Sequence, residues 1–234
     1  SSDLKKVLYC YINLIKTRSI YGASTMKTLL KAIAVASLAT ATVAQAEVSL
    51  TGGAVSDYYF RGVQLSESSA YASIDYAAGG FYAGVWAIDN NSMLERDVYV
   101  GYATTVGEVG VDVSYTNYSY SNQGENNETD LTLAVTFAGL GLSYADVSAE
   151  DLAGNDAADS SVITANYTVG NINLLVGQVD SDDNDMDYNW VELSTSADVA
   201  GLTAALTVGG QFGSDVGAAN DGYIVLDLSK SFDL

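Results

Sequence analysis

Apolar and polar residues alternate with a period of two along most of the chain that follows residue 47. Clear examples are residues 111–116, 131–137, 202–208 and 224–229. This alternation is typical of β-strands that present one apolar and one more polar face. No apolar run approaches the ~18 residues of a membrane helix, and no amphipathic stripe with helix caps is visible. The pattern therefore predicts an all-β fold.

The breaks between the alternating segments come in two lengths. Short breaks, in which Gly and Asn favour the positive φ of tight hairpins, are predicted at Gly79-Gly80, Gly107-Glu108, Gly139, Gly170-Asn171 and Ala200-Gly201. Long polar breaks are predicted at Gln64–Ser69, Asn90–Glu95, Ser121–Thr129, Ser148–Ser160, Asp180–Asp187 and Gly213–Asp221. The two kinds alternate strictly, and six long and five short connections imply twelve strands.

The connections delimit the predicted strands. They are 48–63, 70–78, 81–89, 96–106, 109–120, 130–138, 140–147, 161–169, 172–179, 188–199, 202–212 and 222–232. Most match the ~9–11 residues with which a tilted strand crosses a bilayer. An even strand number, with short turns on one side and long loops on the other, is typical of transmembrane barrels. We predict a closed, antiparallel, up-and-down transmembrane β-barrel of about twelve strands, in which the last strand pairs with the first near Ser49–Asp57, because lipid offers no partner to an open edge.

A soluble β-sandwich is the alternative, since it also alternates between regularly spaced turns. Aromatic residues near the predicted strand ends favour the barrel, where they would form interfacial girdles; they are Tyr58, Tyr59, Phe60, Phe81, Tyr82, Tyr118, Tyr120, Tyr188 and Trp190. The apolar last strand, with Phe232 near its end, resembles the sorting signal of outer-membrane barrels, although Asp233-Leu234 follow the aromatic residue. This resemblance implies that the barrel-assembly machinery and outer-membrane lipid are partners.

The first 46 residues do not follow the strand pattern. Residues 26–46 contain a basic start (Met26 to Lys31), a short apolar stretch and an Ala44-Gln45-Ala46 end, which are the ordered parts of a secretory signal peptide. We predict cleavage before Glu47 and a single barrel domain over 47–234. Residues 1–25 precede the signal, and we expect them to be non-native upstream sequence. The expected location is the outer membrane of a Gram-negative bacterium.

Charge and composition narrow the function further. The chain has no His, which excludes His general bases, Ser-His and Cys-His nucleophile pairs and His metal ligands. Residues 47–234 keep 28 acids and three bases, a formal charge of −25. Such an acidic chain does not favour a nucleic-acid partner, since phosphate binding needs basic surfaces. We expect no catalytic residue, no cofactor and no metal.

Three segments resemble a known family. Ser56-Asp57-Tyr58-Tyr59-Phe60-Arg61-Gly62, Phe81-Tyr82-Ala83-Gly84-Val85-Trp86 and Ser229-Lys230-Ser231-Phe232 are similar to the TorF family of proteobacterial porins. The resemblance spans essentially the whole chain after residue 46. It implies an outer-membrane barrel that acts as a diffusion channel, and it transfers no catalytic or ligand residues.

Strand parity predicts which charges face the lumen. On the first strand it places Asp57, Tyr59 and Arg61 inside and Tyr58 and Phe60 against lipid. The predicted lumen charges are Asp57, Arg61, Asp75, Asp97, Asp112, Asp130, Glu192 and Asp227. Rings of acids select cations in pores. Two alternatives remain for these charges. They could form ion pairs that stabilise the barrel, or they could line a polar interior without ion selectivity.

One predicted loop, residues 180–187, contains five Asp. Carboxylate-dense loops bind Ca²⁺ in EF-hands, but here the sixth position is Asp185 instead of Gly and the twelfth is Val191 instead of Glu. We interpret the segment as a solvated acidic loop.

The leading hypothesis is a channel for passive diffusion of small solutes, which we expect to be cationic or neutral and polar. The alternatives are a plugged, structural or adhesive barrel without transport and, with less support, a barrel enzyme.

Overall fold

The computed structural model describes residues 46–90, 93–121, 127–149, 159–182, 187–213 and 222–234. Within these ranges there is no helix with the length and hydropathy to cross a membrane. The twelve strands are β1 (Glu47–Phe60), β2 (Val63–Ala78), β3 (Phe81–Asn90), β4 (Met93–Val106), β5 (Val109–Tyr120), β6 (Asn127–Phe137), β7 (Leu140–Ala149), β8 (Ser160–Val169), β9 (Ile172–Ser181), β10 (Tyr188–Val199), β11 (Leu202–Phe212) and β12 (Gly222–Asp233). The predicted upstream segment 1–25 and nearly all of the predicted signal peptide 26–46 lie outside the described residues.

The strands form one closed antiparallel barrel in chain order. β12 pairs with β1 from Ser49↔Asp233 to Val55↔Asp227, within the segment that the sequence predicted for closure. Closure gives the edge strands hydrogen-bond partners within the chain. The predicted twelve-stranded up-and-down barrel is confirmed.

The two faces of the wall differ as the period of two requires. On β6, Leu133 is 51% exposed on the outside, whereas the next residue, Ala134, is buried on the inside. Leu226 and Leu228 on β12 are exposed on the outside in the same way, and buried Asp227 lies between them. The outer face is therefore mainly apolar, as a lipid-facing surface requires, and the inner face carries the buried charged residues.

The short connections are two-residue hairpin turns. Three of them, Gly79-Gly80, Ala138-Gly139 and Ala200-Gly201, have positive φ at both residues. This is the geometry of the type I′ turn, whose twist matches that of the flanking strands. These turns lie at the end of the barrel that also holds the start of β1 and the end of β12.

Two connections predicted to be long are short. The prediction of a loop at 64–69 is wrong, because β2 begins at Val63 and the chain turns at Arg61-Gly62. The break predicted at 90–95 is also wrong, since only residues 91–92 separate β3 from β4. Residues 64–69 instead belong to a hairpin with the end of β1, as described next.

Candidate functional site

The end of β1 and the start of β2 leave the barrel wall and fold into the lumen. β1 pairs with β12 only as far as Val55, and β2 pairs with β3 only from Tyr71 onward. Between these points, residues 56–68 form ladder pairs only with each other and turn at Arg61-Gly62, and Ser69 pairs with Val55. We call residues 56–69 the lumen hairpin.

The tip of the lumen hairpin forms ion pairs on the far side of the barrel. The guanidinium of Arg61 donates from Nη1 to Glu128 Oε1 at 3.2 Å and from Nη2 to Asp130 Oδ2, both on β6. Arg61 has a φ of 51°, a left-handed conformation that costs a non-glycine residue about 1–2 kcal/mol. The two ion pairs hold the residue in that conformation.

Aromatic contacts attach the rest of the hairpin to several strands. Tyr58 donates its hydroxyl to Glu95 Oε1 on β4 at 2.9 Å. The ring of Tyr59 stacks on Tyr223 of β12 with centroids 3.8 Å apart, and Phe60 contacts the ring of Tyr118 on β5. The hairpin thus spans the lumen instead of lying along one wall.

Gly62 makes the closest approach to the wall. A Cβ at this position would lie 2.6 Å from Trp190 Cβ on β10, and the φ of Gly62 is 80°. Both the space and the backbone conformation therefore require glycine at the tip.

These contacts correct the predicted parity of the first strand. Tyr58 and Phe60 were predicted to face lipid, yet Tyr58 is buried and Phe60 is half-buried inside the lumen. Once the hairpin leaves the wall, both of its faces are enclosed, so period-two parity no longer separates lipid from lumen. The prediction of an interfacial girdle is corrected in the same way for most of its aromatic residues. Tyr82, Tyr118 and Trp190 make their contacts on the inner side, whereas Phe81 is exposed on the outside.

Six acids of the inner wall accept hydrogen bonds from tyrosine hydroxyls, and in the described part of the chain only one of these six, Asp130, also pairs with a base. The pairs, each running from a tyrosine to an acid on another strand, are Tyr58–Glu95, Tyr71–Asp227, Tyr82–Asp112, Tyr99–Asp75, Tyr118–Asp130 and Tyr223–Glu192. A hydrogen bond to a carboxylate contributes about 1.5–3 kcal/mol. It also leaves the negative charge in place, so the lumen keeps its acidic character.

The predicted lumen charges lie either on the inner face of the wall or on the lumen hairpin. Asp97, Asp112, Asp130, Glu192 and Asp227 are buried on the inner face. Asp75 is half-buried there and also accepts from Ser73 Oγ at 2.8 Å. Asp57 and Arg61 lie on the lumen hairpin, where Asp57 accepts a hydrogen bond from Gln64 at 3.1 Å. Arg61 and Asp130 are the only members of this set joined directly in the described part of the chain.

Two acids that line the interior were missing from the sequence prediction. Glu95 is 0% exposed and Glu128 binds Arg61. Both were assigned to loops, although each lies two residues before a predicted lumen acid, Asp97 and Asp130 respectively. If the alternation is continued two residues upstream of Asp97 and of Asp130, both carboxylates fall on the inner face.

The acidic segment 180–187 is described only in part, because Asp183 and Asp185 lie outside the described residues. Asp187 accepts a hydrogen bond from Ser181 N at 2.8 Å, and Asp182 N donates to Asp159 O at 2.9 Å. Among the described residues, no group of three or more His, Cys, Asp or Glu is arranged to hold a metal ion.

The fold and its sidedness define a transmembrane-type antiparallel β-barrel that encloses an acidic, tyrosine-rich lumen. Residues 39–228 match the family Gcw_chp, described as bacterial proteins of unknown function, and the chain belongs to that family. No curated protein matches the chain.

Several solved membrane barrels are similar in fold. A protein solved in a study of in-meso crystallization of membrane proteins aligns with a TM-score of 0.54 at 9% identity, over 80% of this chain and 84% of that one. The KdgM porin, solved in complex with disordered oligogalacturonate, aligns with a TM-score of 0.51 at 12% identity, over 80% and 99% of the two chains. The outer-membrane protein OprD from Pseudomonas aeruginosa gives a TM-score of 0.44 at 11% identity, over 80% and 66%. At these identities the likeness concerns the fold alone.

Proposed function

We propose that the protein is an outer-membrane channel for the passive diffusion of small cationic or neutral polar solutes. The observation that carries this proposal is the sidedness of a closed barrel, apolar outside and charged inside. A barrel of this kind places a polar path across a lipid bilayer. The predicted signal peptide and the resemblance to the TorF porins support export and the same class of function.

The cation preference follows from the charges that line the path. Ten acids face the lumen or lie on the hairpin, with Arg61 as their only base in the described part of the chain; the acids are Asp57, Glu67, Asp75, Glu95, Asp97, Asp112, Glu128, Asp130, Glu192 and Asp227. Charges of one sign in a confined low-dielectric wall concentrate counter-ions. The oligogalacturonate bound by KdgM is an anion, which such a lumen disfavours, so the solutes of the two barrels differ.

The alternative is a structural or adhesive barrel without transport. The lumen hairpin favours it, because the hairpin contacts six strands of the wall, namely β3, β4, β5, β6, β10 and β12. The two proposals differ in whether solutes pass beside the hairpin.

Reversal potentials of the refolded barrel in planar bilayers test the channel. We expect conductance with a cation preference in a KCl gradient. The preference should weaken between 0.1 M and 1 M salt, because the Debye length falls from about 10 Å to about 3 Å. Anion preference would contradict the charge assignment. An absence of conductance would favour the structural barrel.

A further inference from the structure

Four carboxylates cluster where the lumen hairpin meets the wall. Glu95 and Asp97 belong to β4 and Glu128 and Asp130 to β6, and we call these four residues the acidic patch. β5 lies between them, with Tyr118 directly opposite both Asp97 and Glu128 and Tyr120 opposite Glu95. The patch therefore spans three adjacent strands, and two aromatic residues lie at its centre.

The acidic patch contains buried carboxyl oxygens that have no hydrogen-bond partner in the described part of the chain. Glu95 Oε2, Asp97 Oδ1 and Asp130 Oδ1 are buried and accept no hydrogen bond within the described part of the chain. Glu95 is 0% and Asp97 9% exposed. Arg61 pairs with the β6 acids, and the β4 acids have no ion pair among the described residues. Buried carboxylate oxygens without partners are costly, and a positively charged ligand would satisfy them.

The geometry favours an organic cation over a metal ion. A Ca²⁺ ion requires six to eight oxygens at 2.3–2.6 Å around one point, whereas β4 and β6 lie about 10 Å apart across β5 at ordinary strand spacing. Guanidinium and ammonium groups instead donate several hydrogen bonds to separate carboxylates and pack on aromatic rings. Arg61 shows this mode of binding, since its guanidinium contacts two carboxylates and lies 4.6 Å from the centroid of the Phe60 ring.

We propose that the acidic patch is a binding site for solutes that carry a guanidinium or primary ammonium group, and that Arg61 of the lumen hairpin is its resident occupant. An incoming cation binds the unpaired oxygens of Glu95 and Asp97 and competes with Arg61 for Asp130. Displacement of Arg61 removes the ion pairs that hold the hairpin tip on β6. This inference rests on the proposed channel, because the patch lies along its lumen.

The test measures binding of methylguanidinium chloride to the refolded barrel in detergent micelles by isothermal titration calorimetry. Methylurea, which has the same shape without the charge, is the control ligand. We expect Arg61→Ala to bind methylguanidinium at least about tenfold more tightly than the wild type, because a tethered competitor acts at an effective concentration in the millimolar range or above. Methylurea should bind neither protein.

Two further variants locate the site. In the Arg61→Ala background, Asp97→Asn should weaken methylguanidinium binding. Asp57→Asn should leave it unchanged, because Asp57 lies outside the patch and contacts Gln64. Equal binding of methylurea, no binding by folded Arg61→Ala, or equal losses from both variants would overturn the proposal.

Refolding provides a second measurement if Arg61→Ala does not fold by itself. Methylguanidinium should then raise its folded fraction on a heat-modifiability gel, and methylurea should not. Failure of methylguanidinium to rescue folding would refute the site. Binding of methylguanidinium can be measured without conductance. A barrel that binds methylguanidinium but does not conduct ions overturns only the channel proposal. A barrel that conducts ions without binding methylguanidinium overturns only the binding site inferred here.

Discussion

Tyr71 on β2 lies directly opposite Gly53 on β1, and its ring fills the space that a side chain at position 53 would need. The same cross-strand relationship recurs at Gly84–Tyr99, Gly101–Tyr82, Gly177–Trp190 and Gly209–Tyr223. Each glycine lets an aromatic ring lie close against the inner wall. The tyrosine hydroxyls then reach acids on other strands.

This packing predicts different outcomes at two neighbouring glycines. A Cβ at Gly53 would lie 2.5 Å from Tyr71 Cζ, whereas a Cβ at Gly52 would meet nothing within 4 Å. Gly53→Ala should lower the free energy of unfolding by about 1–3 kcal/mol, because the buried ring must move. Gly52→Ala should be neutral or slightly stabilising. Urea unfolding in lipid vesicles, followed by tryptophan fluorescence, measures both, and equal effects would contradict the proposed packing.

The hydroxyl of Tyr71 predicts a second effect on stability. It donates to Asp227 Oδ2 at 2.8 Å inside the barrel. Tyr71→Phe leaves that buried carboxylate without this donor and should cost about 1–3 kcal/mol. Tyr76→Phe on the outer face of the same strand should change stability by less than about 0.5 kcal/mol. A smaller loss at Tyr71 than at Tyr76 in the same unfolding assay would show that the hydrogen bond does not stabilise the barrel.

The barrel was predictable because its wall follows one local rule. Alternation along β6 and β12 reflects the lipid on one side and the lumen on the other. The pattern therefore predicts which segments are strands, which residues face lipid and that the barrel closes. The type I′ turn at Ala138-Gly139 is also local, since the positive φ of its residues favours glycine.

The lumen hairpin was not predictable from the same rule. Residues 64–69 have the composition of an exposed loop, yet they form a strand that pairs with the end of β1. The pairing of Arg61 with Asp130 was not predictable either, because Asp130 is 69 residues away along the chain and lies on the far wall. No local pattern connects two such positions.

The orientation of β6 toward lipid predicts a depth-dependent charge effect. Leu133→Arg places a charge on the exposed outer face and should cost about 2–4 kcal/mol near the midplane. Thr132→Arg, directed inward, should cost much less. Folding equilibria in vesicles compare the two variants. Similar losses at both positions would show that the outer face of β6 does not contact lipid.

The signal-peptide prediction concerns the mature N-terminus. Cleavage after Ala46 should make Glu47 the first residue of protein extracted from outer membranes, because the apolar stretch and the Ala44-Gln45-Ala46 end occur in the order that signal peptidase recognises. N-terminal sequencing decides the question. Mature protein that begins before Met26 would contradict the assignment.

The lumen hairpin predicts how the pore can be widened. Val55 and Ser69 face each other in the β1–β2 register, so replacing residues 56–68 with Asn-Gly closes the two strands with a type I′ turn. The variant should conduct severalfold better than the wild type in planar bilayers, because no segment then crosses the lumen. Arg61→Ala, which keeps the acids of the hairpin, should raise the cation preference, since Arg61 then no longer neutralises Glu128 and Asp130.

Gln64→Ala is the matched control for this shortened barrel. Gln64 donates to Asp57 within the hairpin itself, so its loss leaves Arg61 and the aromatic contacts with the wall in place. Its conductance should equal that of the wild type. If the shortened barrel conducts no better than the wild type, the hairpin does not limit permeation. If Gln64→Ala raises conductance as much as the deletion, internal stiffness of the hairpin matters more than its contacts with the wall.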